Sequence, residues 1–188
     1  MHLLPHFIGM MLSFVCSFLS FGADYKGVWV FLLAPADSIA RFARGVWALL
    51  WIAAIAVPHL VLLPLLLRTW GPVHGALFIA YSLAAASVYL ALEMRLVEYV
   101  PFSTQMDPAR SAMTLPILML GAVAMGVAVG LQWLLFLSTP AVAVATVALY
   151  CAAWLLTRHS LEGAALSMRH NLGTVSRESS TLYAEVGR

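Results

Sequence analysis

Long apolar stretches separated by short polar gaps fill most of this chain. Five of them predict helices that cross a membrane, at about residues 3–21, 46–67, 73–92, 113–137 and 142–157. A bilayer-spanning helix needs roughly 20 predominantly apolar residues, and these stretches are of that order. The second contains Pro58 and Pro64, which spans tolerate where neighbouring groups satisfy the freed carbonyls. Only Ser138, Thr139 and Pro140 separate the last two stretches, so these predict a tight helical hairpin. No Lys or Arg precedes the first stretch, only His2, which predicts a retained helix rather than a cleaved leader.

The polar gaps differ in kind. Residues 23–44 are long and mixed, and Asp37 or Ser38 is placed to cap a short helix after Pro35. Residues 68–71 read as a short turn and residues 99–111 as a polar loop. From Arg158 onward the tail is the most polar region. Leu161, Ala165, Leu166 and Met168 fall at partly helical spacing, which predicts an amphipathic helix leaving the membrane and broken near Gly173. The predicted fold class is all-α: a polytopic transmembrane helix bundle of about five spans over residues 1–157. An amphipathic cytoplasmic segment and a cytoplasmic tail, residues 158–188, complete it.

Composition agrees with this reading. The 188 residues are 63% hydrophobic and only 10% charged, against about 25% charged for a soluble domain. So few charges cannot cover a water-facing surface, and the bilayer is the implied solvent. A net charge of +2 gives no basis for nucleic-acid binding. Cys16 and Cys151 both lie inside apolar stretches and read as small buried apolar side chains, not as a disulfide or a zinc site.

Where the positive charges fall predicts orientation. If residues 23–44 are cytoplasmic, strict alternation puts Lys26, Arg41, Arg44, Arg95, Arg110, Arg158, Arg169, Arg177 and Arg188 inside and Arg68 alone outside. Cytoplasmic loops collect Lys and Arg, so the expectation is a membrane protein with its N-terminus out and its C-terminus in. An outward-facing start predicts either the C-terminal part of a longer chain or a half that pairs with another protein, as a homo- or hetero-oligomer.

Candidate chemistry is sparse. His2 and His6 are four residues apart and share a helix face. They are placed for haem or metal, or for packing at the interface. Glu93, Arg95 and Glu98 close the third stretch, where a carboxylate is either a proton-relay group or a side chain reaching interfacial water. Ala122, Gly126 and Gly130 make a small-residue ridge that lets another helix approach. Gln132 reads as an interhelical hydrogen-bond donor and Trp133 as an interface anchor. No phosphate-binding loop, H-E-x-x-H or G-x-S-x-G motif is present, so neither an enzyme nor a bound cofactor is predicted.

The most distinctive segment is Asp24, Tyr25, Lys26, Gly27, Val28, Trp29, Val30 and Phe31, with Ala34 and Pro35 turning the chain after it. It reads as a membrane-surface helix anchored by Trp29 and Phe31, as a docking element for a partner, or as both. Pro101, Phe102 and Ser103 follow later, and Leu182, Tyr183, Glu185 and Val186 near the end. In this order and spacing the chain, from about residue 10 to its end, resembles a group of bacterial membrane proteins related to ABC-exporter permeases. It is similar to the C-terminal half of the longer members. The resemblance implies a transmembrane transport subunit served by a separate cytoplasmic ATPase, with Asp24, Tyr25, Lys26, Trp29, Phe31 and Pro35 as its docking surface. The rival expectation is a stand-alone structural or accessory membrane protein.

Overall fold

The computed structural model describes residues 3–19, 31, 33, 35–97, 99–102, 123 and 126–186. Every regular element among them is helical. In chain order these are α1 (Leu4–Phe18), α2 (Ala36–Leu50), a π-helical turn (Trp51–Ala56) and α3 (Val57–Trp70), then α4 (Pro72–Glu93) with a short 3₁₀ turn (Met94–Leu96). They are followed by α5 (Gly126–Leu135) and α6 (Thr139–Val186).

Three helical stretches among the described residues are long and apolar enough to cross a membrane: Asp37–Trp70, Pro72–Glu93 and Thr139–Leu172. α1 and α5 are shorter apolar helices. Much of the span predicted over residues 113–137 lies outside the described residues. The protein is therefore an all-helical membrane protein, and its outward faces are what lipid requires. Leu60 and Val61 on α3, and Val144, Val147, Trp154 and Leu155 on α6, are all exposed.

α2, the π turn and α3 run as one unbroken rod, 34 residues long from Asp37 to Trp70, which corrects the expectation of a short capped helix followed by a separate span at 46–67. Arg44 does not break the helix, because it sits with Asp37 and Arg41 on the exposed face of α2 while Ile39 and Ala43 are buried on the other. Neither Asp37 nor Ser38 caps α2. Pro35 is the N-cap with no side-chain bond, and the Ser38 backbone N–H donates to the Pro35 carbonyl at 2.8 Å. The π turn comes immediately before Pro58, whose ring lacks a donor and crowds the carbonyl four residues back. Widening the helix over Trp51–Ala56 relieves that crowding.

α3 and α4 form a hairpin around Gly71, at φ +78°, with Pro72 opening α4. A proline is at home in the first helical turn, and the left-handed Gly supplies the reversal. Gly75 then lets the two helices touch. A Cβ there would lie 2.9 Å from the Leu66 carbonyl oxygen. The α5–α6 hairpin is as tight as predicted, turning through residues 136–138, with Ser138 N–H bonded to Leu135 at 3.1 Å.

α6 differs most from expectation. It is one helix of 48 residues, with no break at Gly173 and no change of element near Arg158. Its membrane part packs along α4, where Val142 clusters with Tyr81 and Ala85. Its continuation packs against α2, with Ala164, Met168 and Leu172 in one cluster with Ile39, Ala43, Met94, Val97 and Val100.

α4 is the central element. It contacts α1, α3 and α6, and 61% of its span is buried, against 17% for each of the other two. α1 and α6 run parallel to it and α3 antiparallel. The hairpin turns at Gly71 and at 136–138 therefore share one end, where Trp70, His74, Phe136 and Leu137 line a common cleft. The other end gathers Leu19, Phe31, Ile39, Met94 and Met168. Among the described side chains, Arg41, Arg44, Arg95, Arg158 and Arg169 lie toward this second, cationic end and Arg68 toward the turn end. Between Arg44 and Arg68 the rod rises about 36 Å, which matches a bilayer with its interfaces.

Candidate functional site

Polar side chains are rare in the bundle, and four on α4, Ser82, Ser87, Tyr89 and Glu93, each meet a partner from another element. Near the turn end, His59 on α3 is buried. Its Nδ1–H donates to the Ile55 carbonyl at 2.7 Å, within the chain crowded by Pro58. The carbonyl can only accept, so Nε2 carries no proton in the neutral ring and accepts from Ser82 Oγ at 2.6 Å. One turn and a half further along α4, Trp51 Nε1 donates to Ser87 Oγ at 3.0 Å, and Ser87 donates back to the Leu83 carbonyl at 2.7 Å. Trp51 stacks on Trp47 at 6.5 Å. The Trp47 indole N–H is buried and finds no acceptor among the described residues.

The densest group joins α1, α4 and α5. His6 is 2% exposed. Its Nε2–H donates to Gln132 Oε1 at 2.5 Å, so the unprotonated Nδ1 accepts from the Tyr89 hydroxyl at 2.8 Å. The rings of His6 and Tyr89 meet edge to face at 5.9 Å. Two turns along α1, Ser13 Oγ donates to Glu93 Oε1. His6, Gly9 and Ser13 are spaced i, i+3, i+7 and so share one face. Tyr89 and Glu93 are one turn apart on α4.

Gly9 makes this arrangement possible. A Cβ there would lie 2.7 Å from Tyr89 Cγ, so the phenol ring reaches His6 only because α1 presents a notch at residue 9. Beyond Glu93, Arg95 Nε donates to Ser160 Oγ on α6 at 3.4 Å, tying the 3₁₀ turn to the long helix.

The cationic end is also closed by backbone. Phe102 adopts φ +61°, which is uncommon for a side chain of this size. Its N–H donates to the Leu19 carbonyl at 2.9 Å, so the loop after α4 folds back on the end of α1. At the opposite end, Trp70, His74, Leu77, Trp133, Phe136, Leu137, Thr139 and Val142 line an aromatic cleft of about 460 Å³. Trp133 is 70% exposed there, at the level expected of an interfacial anchor.

The comparisons add no relative. No family model, curated protein or solved structure matches this chain.

Of the residues singled out in the sequence, Glu93 belongs to the central network and Arg95 borders it. His6 belongs to it too, but both its ring nitrogens are engaged by Gln132 and Tyr89. His2 and Glu98 lie outside the described residues, and no cluster of three metal-ligating side chains occurs among those described. Gln132 makes an interhelical bond to His6, and in that bond its oxygen is the acceptor.

The small-residue ridge does not pack within the described chain. Gly126 and Gly130 are exposed, and a Cβ on either would meet nothing within 4 Å; Ala122 lies outside the described residues. Asp24, Tyr25, Lys26 and Trp29 of the docking segment also lie outside. Phe31 packs on Phe42 at 5.3 Å, against the α2–α6 cluster, and Pro35 begins α2.

Sequence reading did not single out Tyr89, Ser13, Gly9 or Ser82; His59 stands out in the sequence as one of four histidines of the outer half, with His2, His6 and His74, and the structure buries it against Ser82. The signal for the α1 face was present: a His, a Gly and a Ser at i, i+3 and i+7 in a helix whose only other polar side chain besides Cys16 is Ser17.

Proposed function

We propose that this chain is a multi-pass protein of a bacterial inner membrane with its cationic end in the cytoplasm. In this reading it is a permease-like subunit of an ATP-driven exporter whose ATPase is a separate cytoplasmic chain. The observation that carries the reading is the continuity of α6 beyond the membrane and its packing against α2 at the cationic end. Together with Phe31 and the Met94–Val100 region, these two helices form a platform rigidly joined to α4. A partner that moves when it hydrolyses nucleotide finds there a surface coupled directly to the most buried span. Five described arginines at that end against one at the other support its cytoplasmic placement. The chain carries no phosphate-binding loop of its own, so hydrolysis belongs to the partner.

Co-purification from the native membrane tests this. The expected result is a stoichiometric complex with a nucleotide-hydrolysing subunit, loosened by Tyr25→Ala and by Trp29→Ala. Isolation of the chain by itself, with both variants unchanged, would instead support a stand-alone accessory membrane protein.

A further inference from the structure

Arg158 is a cation on a lipid-facing helix, and no carboxylate among the described residues pairs with it. It lies on the exposed face of α6, about 28 Å along the axis from Thr139. The hydrocarbon core of a bilayer is about 30 Å thick, so Arg158 stands where α6 passes from acyl chains to headgroups. Its guanidinium carbon sits over the Trp154 ring, 5.2 Å from the ring centre. Helical side chains lean toward the N-terminus, and this one follows that course back over the preceding turn. A cation seeking bulk water would extend the other way.

The ring covers one face of the guanidinium and leaves its N–H edges open. Those edges meet no acceptor among the described residues. Glu162 follows one turn later, but an Arg placed before a Glu is the weaker order for a helical pair. Arg95, bonded to Ser160, is held on the opposite, buried face of α6. On the Thr139 side of the guanidinium, Tyr150, Cys151, Trp154 and Leu155 line a shallow apolar groove of about 410 Å³. Cys151, Trp154 and Arg158 fall at i, i+3 and i+7, so the groove and the cation lie in one stripe along the helix. A donor edge for phosphate above an apolar slot has the layout of a phospholipid.

We propose that Arg158, Trp154 and the groove beside them hold one anionic phospholipid of the leaflet at the cationic end. The phosphate oxygens accept from the Arg158 N–H edge in the two-pronged geometry that a guanidinium offers. One acyl chain lies along Cys151 and Leu155. Trp154 is a positioning residue that holds the guanidinium at headgroup depth. Arg41, Arg44 and Arg169 add positive potential at the same end, which favours a lipid of net negative charge over a zwitterionic one. The site needs no ATPase partner and is independent of the transport reading.

The test uses the full chain in phosphatidylcholine vesicles, into which phosphatidylglycerol with brominated acyl chains is titrated. Bromine quenches an indole that it touches, and the Trp154 share is the difference between the unaltered chain and Trp154→Phe. Half of that quenching is expected at a mole fraction about fivefold lower for brominated phosphatidylglycerol than for brominated phosphatidylcholine, the worth of one cation beside an anionic lipid. Arg158→Gln is expected to remove this preference while quenching by brominated phosphatidylcholine stays unchanged, which also shows that the variant is folded. Arg169→Gln, three turns further out, is expected to keep the preference. Equal half-points for the two lipids would overturn the proposal, as would a preference that survives Arg158→Gln. Equal losses in both arginine variants would reduce the effect to general surface charge and overturn the site. Millimolar inorganic phosphate is expected to leave the half-point in place, and displacement of the lipid by it would assign the arginine to a soluble anion instead.

Discussion

At the scale of single residues, Gly9 and Gly75, each at a close approach between helices, carry more of the structure than the ridge that stands out in the sequence. Gly9→Ala drives a methyl group into the Tyr89 ring and displaces its hydroxyl from His6. Overpacking of this kind costs about 1–3 kcal/mol. Gly126→Ala meets open space and is expected to change stability by less than about 0.5 kcal/mol. Thermal unfolding of both variants in the same detergent checks the contrast, and equal effects would contradict the notch. A His6→Leu and Gln132→Leu double-mutant cycle is expected to return a coupling of about 0.6–1.7 kcal/mol, the range of interhelical hydrogen bonds in membranes. A coupling of zero would mean that the 2.5 Å bond adds nothing to stability.

At the scale of elements, local chemistry explains each irregularity. The π turn precedes Pro58 because the ring removes a donor and occupies space that a regular helix needs. Pro58→Ala is therefore expected to restore ordinary helix over residues 51–58, with slower amide exchange there than in the unaltered chain. Unchanged exchange would assign the widened turn to packing of Trp47 and Trp51 instead. The helices themselves were legible from apolar runs, and so was the tight α5–α6 hairpin. Their ends were not. Arg44 and Arg158 look like boundaries to hydropathy, yet each is a single exposed side chain on a helix that continues past the lipid. The spacing of Leu161, Ala165, Leu166 and Met168 marks an amphipathic helix leaving the bilayer, but not that it is continuous with the span before it and runs on past Gly173. The apolar surface there, with Ile39 and Ala43 on α2 and Ala164 and Met168 on α6, is buried only by the pairing of the two. The polar network was hidden for a similar reason. Hydropathy ranks Tyr89, Ser13 and Ser82 as minor interruptions, and their meaning comes from which helices lie next to α4.

At the scale of the molecule, charge and topology give the same sidedness. The parallel run of α1, α4 and α6, with α3 opposed, reproduces the alternation that places the arginines at one end. In a background with Cys16→Ala and Cys151→Ala, a cysteine introduced at Ser138 is expected to react with a membrane-impermeant maleimide in intact cells. One at Arg169 is expected to react only after the membrane is opened. The reverse pattern would invert the orientation and remove the platform from the cytoplasm.

Because α6 has no joint where it leaves the membrane, its two parts cannot move separately. It is gripped at Ser160 by Arg95 and held along α4 and α2. From that grip the outer arm to Val186 measures about 39 Å and the arm back to Thr139 about 31 Å. Thr139 and Val142 form one wall of the aromatic cleft. One unbroken helix thus joins the wall of a cleft at one end of the bundle to the surface packed on α2 at the other.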